Sequence, residues 1–257
     1  MLKKLVITML AVVMMMSSFT VTFANGFDIA DEDQGILNVS FEREEGKTYK
    51  VLVQSGSSKY FYDLTQDQES FPAQMGNGVY TIKVYERLES GKYSRVASEQ
   101  VNVNIDNENL PYLASTQNVK WAYNDETAEL AKSIAKDAKT DYEKLQAVHN
   151  YVISTISYDY DKAKTVESGY LPVNANTLES QSGICYDYSS LVASMLRSLD
   201  VPTKLVTGYN VNTDVYHAWN EVLIDGEWLT VDTTFDAALN AKNADFSIVK
   251  PDRKSTV

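Results

Sequence analysis

The chain holds one cysteine and two histidines, few enough for each candidate nucleophile and base to be weighed singly. Cys185 follows Gly183-Ile184 where an apolar helical pattern begins. Unpaired backbone N–H groups and the helix dipole at such a start favour a thiolate, the form of sulfur that attacks carbonyl carbon. Gly183 is expected to let a substrate backbone approach closely. A thiolate working on an amide also needs a base to carry a proton and an acid to orient that base.

A hairpin supplies both. Residues 216–224 and 227–233 read as strands, and Asp225-Gly226 between them is a strong short-range hairpin signal. A two-residue turn pairs Ile224 with Glu227 and sets Trp219 opposite Asp232. His217 then shares a sheet face with Asp232 and lies diagonal to it. Diagonal backbones are roughly 7–8 Å apart, within reach of an imidazole–carboxylate hydrogen bond. Asp232 would fix the ring's tautomer while the other nitrogen faces the thiol. Taken singly, His217 could be an exposed strand histidine and Asp232 a turn-capping acid. His149 falls beside Leu145 and Val152 on a helical pattern and is expected to be packed rather than catalytic.

The elements that must position these groups follow from periodicity. Asp125 can cap a helix running to about Ala138. A second helix starts near Asp141 and puts Leu145, Val148 and Val152 on one face. A third starts just after Ser182-Gly183, turns Leu191, Val192, Met195, Leu196 and Leu199 inward, and stops at Asp200-Val201-Pro202. Strands over 204–209, 216–224 and 227–233 complete an α+β unit, assigned to 107–257. Before it, 25–106 has period two: Leu37, Val39 and Phe41; Tyr49, Val51 and Val53; Tyr80, Ile82 and Val84; Val101, Val103 and Ile105. Such short alternating runs, separated by turn residues, predict a small antiparallel β-sandwich of immunoglobulin or fibronectin shape. Tyr60, Phe61 and Tyr62 could form a binding surface, but a strand packed on both sides explains them better. Residues 106–116, with Pro111, read as a linker.

Several blocks together resemble the bacterial transglutaminase-like superfamily. They are Gly183-Ile184-Cys185-Tyr186-Asp187-Tyr188-Ser189, Leu196 to Lys204, Thr207-Gly208-Tyr209, His217-Ala218-Trp219-Asn220-Glu221-Val222, Gly226-Glu227-Trp228 and Val231 to Asp236. The resemblance runs from about Asp125 to Asp236 and keeps the three active-site blocks in order. It implies a papain-like core, with the cysteine helix against the sheet that carries the histidine and the acid, and Cys185, His217 and Asp232 as a catalytic triad. It does not fix the oxyanion hole. The Cys185 N–H is one donor, and Gln181, Tyr158 and Tyr160 are candidates for the second. Trp219 and Trp228 are expected to wall the cleft or the core. No calcium-binding surroundings are visible, so no metal or other cofactor is implied.

Composition bounds where this chemistry would act. Lys3 and Lys4, an apolar run from Leu5 to Met16, and Thr22-Phe23-Ala24 have the layout of a secretory signal cleaved after Ala24. The apolar run is shorter than the ~20 residues a membrane span needs, and no later stretch is apolar enough, so no transmembrane anchor is expected after cleavage. Loss of 1–24 removes two of the 23 basic residues and none of the 35 acidic ones, giving 21 against 35, a net charge of −14. Such a chain repels phosphate backbones, which excludes nucleic acid as a natural partner. One cysteine cannot form an internal disulfide in an oxidising compartment. The expected protein is thus a secreted or cell-wall-associated cysteine acyltransferase or peptidase acting on proteins or cell-wall peptides. The alternative is a non-catalytic binding or scaffolding module on the same fold.

Overall fold

The computed structural model describes residues 28–210, 213–245 and 247–248; the expected signal, 1–24, lies outside the described residues. The first region holds β1 (Asp28–Ala30), β2 (Ile36–Ser40), β3 (Tyr49–Ser55), β4 (Ser58–Leu64), β5 (Gln68–Pro72), β6 (Gly78–Arg87) and β7 (Tyr93–Val103). They form two antiparallel sheets, ordered β1-β2-β5 and β4-β3-β6-β7. The period-two residues explain why. Leu37, Val39, Phe41, Tyr49, Val51, Val53, Tyr80, Ile82 and Val84 enter a single buried cluster that takes side chains from both sheets. A fully buried aliphatic or aromatic side chain of this kind contributes about 1.5–3 kcal/mol. Gly56, with φ 56°, allows the two-residue turn from β3 to β4.

Residues 106–116 differ from a free linker. They contain a 3-10 turn, Leu110–Tyr112, with Pro111 buried. The carbonyl of Ala114 accepts from Arg197 Nη1 at 2.6 Å. Just beyond, buried Gln117 donates to the Asp63 carbonyl at 2.6 Å and to Glu69 Oε2 at 2.7 Å. Ser190 and Ser194 in turn donate to the carbonyls of Asn118 and Lys120. The segment is therefore bonded to both halves.

The second region runs α1 (Glu126–Ile134), α2 (Asp141–Thr155), β8 (Ser157–Tyr158), α3 (Tyr160–Thr165), α4 (Asn174–Ser180), β9 (Ser182–Gly183), α5 (Cys185–Ser198), β10 (Thr203–Asn210), β11 (Thr213–Ile224), β12 (Glu227–Val231) and α6 (Thr233–Asn240). Asp125 caps α1 as expected, accepting from Ala128 N at 2.8 Å, but the helix ends at Ile134 rather than near Ala138. Thr140 and Glu143 form a capping box on α2. Every residue of α5 from Asp187 to Ser198 is buried. Such all-round burial favours small or apolar side chains and requires partners for the polar ones. The serines donate to nearby carbonyls, Arg197 donates to the carbonyls of Thr203 and Ala114, and Asp187 accepts from Lys162 and Tyr170. Leu145, Val148 and Val152 of α2 and Leu191, Val192, Met195 and Leu196 of α5 share a second buried cluster with Val222 and Val231 of the sheet. Helices packed on an antiparallel β10-β11-β12 sheet make the class α+β.

Candidate active site

The expected register is present: Ile224 pairs with Glu227, and pairing continues to Asn220 and Val231. It stops there. Asp232 lies one step past the ladder, and Thr233, expected in a strand, begins α6. Asp232 is the N-cap of that helix, its Oδ1 accepting from Phe235 N at 3.0 Å. Its Oδ2 accepts from His217 Nε2 at 2.9 Å. The two roles weighed separately in the sequence, cap and histidine partner, thus coexist on one carboxylate.

An ionised carboxylate only accepts, so Nε2 carries a proton and Nδ1 is left for the thiol. Burial works against a charged ring, but hydrogen bonds to Asp232 and Cys185, together with their charges, outweigh it and lift His217 to about 9. At neutral pH the ring is therefore an imidazolium beside sulfur. Trp219, 2 % exposed, stacks on it with centroids 6.2 Å apart, which restricts ring rotation. Trp228 instead lies under the Lys204 ammonium at 3.7 Å and edge-on to Tyr112, away from the histidine.

Cys185 opens α5, behind Ile184, whose N–H donates to Asp187 Oδ2 at 2.8 Å. That carboxylate is also held by Lys162 Nζ at 2.7 Å and by the Tyr170 hydroxyl. Gly183 has a packing reason of its own. A Cβ there would stand 2.6 Å from the Asp187 Cβ, so the glycine makes room for the carboxylate that braces the start of α5.

The three oxyanion candidates separate in space. Tyr158 pairs with Gly183 across the parallel β8–β9 bridge and lines a cleft of about 930 Å³ together with Cys185 and His217. Burial, then the charge of Cys185, raises its pKa, so the hydroxyl keeps its proton and can donate. Tyr160 is 67 % exposed and meets Tyr158 edge-on. Gln181 is exposed at the end of α4 in a left-handed conformation, and its carbonyl accepts from Ser157 N. Neither lines that cleft. His149 is fully buried, with Nε2 3.0 Å from Asp236 Oδ2.

The cleft also takes in Tyr60, Phe61 and Tyr62 of β4, and Tyr112, Tyr170, Tyr186 and Tyr216. The β4 aromatics were visible in the sequence as a candidate surface, but nothing local placed them opposite a cysteine more than a hundred residues later.

Known proteins resemble part of this chain. Residues 128–233 match the family model of the Transglutaminase-like superfamily. The mouse protein named kyphoscoliosis peptidase is 28% identical over 143 residues, 51% of this chain and 21% of its own length. Its human counterpart is 28% identical over 122 residues, 43% of this chain and 18% of that protein. The chain thus spans about a fifth of the length of these curated relatives. Among solved structures, a candidate cysteine protease from Cytophaga hutchinsonii is 16% identical with a TM-score of 0.45, over 81% of this chain and 92% of that one. The part of the chain that matches the Transglutaminase-like superfamily is the part that carries Cys185, His217 and Asp232.

Proposed function

We propose that this chain is an exported cysteine-dependent acyl-transfer enzyme that acts on amide bonds of proteins or cell-wall peptides, with Cys185, His217 and Asp232 as its triad. The observation that carries the reading is His217, bonded to Asp232 at 2.9 Å and lining, with Cys185, one cleft of about 930 Å³. The Cys185 sulfur attacks the amide carbon and the π electrons move to oxygen. The Cys185 N–H and the Tyr158 hydroxyl donate to that oxyanion. As the tetrahedral species collapses, the C–N bond breaks and the imidazolium of His217 gives its proton to the departing amine, leaving a thioester. Neutral His217 then takes a proton from incoming water or amine, whose attack releases sulfur. Hydrolysis and transfer differ only in which nucleophile reaches the thioester.

The test follows cleavage of an unfolded protein alongside incorporation of a labelled primary amine into a glutamine-bearing protein. One or both should occur with wild type and neither with Cys185→Ala. Turnover surviving in Cys185→Ala would overturn the proposal.

A further inference from the structure

Three consecutive residues of β4, Tyr60, Phe61 and Tyr62, line the same cleft as Cys185. Successive side chains of a strand point to opposite faces. A cleft that touches all three therefore runs along the strand's edge. That edge is open, because β4 is the terminal strand of its sheet.

The ladder fixes which backbone groups face outward. The two-residue turn closes on the Ser55–Ser58 pair, so that pair is the hydrogen-bonded one, followed by Val53–Tyr60 and Val51–Tyr62. Phe61, opposite Leu52, alternates with them and turns its N–H and C=O away from β3. Asp63 has the same parity, and its carbonyl is reached from outside by Gln117. No hydrogen bond to the outer N–H or C=O of Phe61 is present among the described residues. The facing wall is similar: Lys204, Leu205, Val206 and Thr207 are consecutive cleft residues on β10, the terminal strand of the other sheet. Gly208, the next residue of β10, pairs with His217.

We propose that the cleft takes its substrate as an extended polypeptide strand, one residue of which exchanges N–H···O bonds with Phe61 on the open edge of β4. This rests on the acyl-transfer reading and makes the N-terminal sheet part of the substrate site. Main-chain pairing supplies the affinity in such strand addition, and the flanking tyrosines take side chains. It selects for unfolded or looped polypeptide and against compact protein.

Binding is read on the full chain carrying Cys185→Ala, so chemistry is not needed. The probe is reduced and carboxymethylated lysozyme, an unfolded chain, with disulfide-intact lysozyme beside it. The unfolded probe should bind and slow amide exchange at Phe61 several-fold, while the folded one does neither. Phe61→Pro removes the outward N–H and is tolerated at a strand edge, whereas Phe61→Ala removes the ring alone. The proline variant should bind about 5-fold more weakly than the alanine variant, the loss expected for one net hydrogen bond. Equal affinities of two folded variants, unchanged exchange at Phe61 under saturation, or no preference for the unfolded probe would overturn the proposal. The exchange measurement needs no substitution at Phe61, so it decides the matter even if the proline variant fails to fold. Failure of the acyl-transfer reading would instead show in the Cys185 protein, as absent turnover whatever binding is found.

Discussion

Two histidine–aspartate pairs of nearly equal geometry lie in the second region: His217 with Asp232 at 2.9 Å and His149 with Asp236 at 3.0 Å. Both carboxylates belong to the first turns of α6, one at its N-cap and one four residues on. They differ in what else the imidazole can reach. The His149 and Asp236 side chains are 0% exposed, whereas His217 is 18% exposed and lines the same open cleft as Cys185. The pair alone is thus not a signature of chemistry. One copy tethers α2 to α6, and the other places a proton between a carboxylate and a nucleophile in an open cleft.

The comparison breaks most visibly at the histidines. His217→Ala should lower turnover by about 10³ or more, because the sulfur's ion-pair partner and the proton donor to the leaving amine vanish together. His149→Ala should leave turnover within a few-fold of wild type and lower stability by about 1–3 kcal/mol, since a buried hydrogen bond and its packing are lost. Steady-state assays and denaturant melts of both variants measure this. Lost activity in the His149 variant, with activity kept in the His217 variant, would assign the site to the wrong histidine.

The aspartates give the next contrast. Asp232→Asn should cost roughly 10–10³ in turnover. The amide can hold the ring but stabilises imidazolium less, and a serine triad loses about 10⁴ at the same place. A smaller loss is expected here because the imidazolium stands beside sulfur before attack. Asp236→Asn should change turnover by no more than about 3-fold while lowering the melting temperature. If the two asparagine variants lost activity equally, α6 as a whole, and not Asp232, would be what orients His217.

These contrasts also mark what was legible in the sequence. The Asp225-Gly226 turn fixed the β11–β12 register, and with it the face shared by His217 and the acid. Alternation identified the sandwich strands whose apolar residues are all local. It failed for β5, where Glu69 takes a core position because Thr65 and Gln117 satisfy its carboxylate. Helix α6 was hidden for another reason. Leu229 to Val231 continues the β pattern up to Asp232, so Thr233 reads as strand, although Asp232 with Asp236 in the first turn is an acceptable helix start. The short α3 and α4 have too few turns for a periodic apolar stripe. The cleft's N-terminal wall depends on Gln117 bonding across to β4 and β5, a long-range contact that no local pattern encodes.

The smallest expected effect is in proton binding, and it sharpens the contrast from the stability side. His217 titrates near 9 in the folded chain and near 6.5 when unfolded. The folded state therefore holds this proton more tightly, and the stabilisation is fully present below about pH 6.5 and lost as pH rises through about 9. The melting-temperature gap between wild type and His217→Gln should be widest at pH 5.5–6.5, shrink through pH 7–9 and flatten above that range. Taking the difference cancels titrations common to both proteins. The gap should be modest, because the ring is partly open to solvent and its ion pairs are screened. A gap that widened with pH would mean that the ring is neutral when folded, with burial outweighing Asp232 and Cys185. His217 could then act as a base toward the thiol but could not hold the proton that the leaving amine needs.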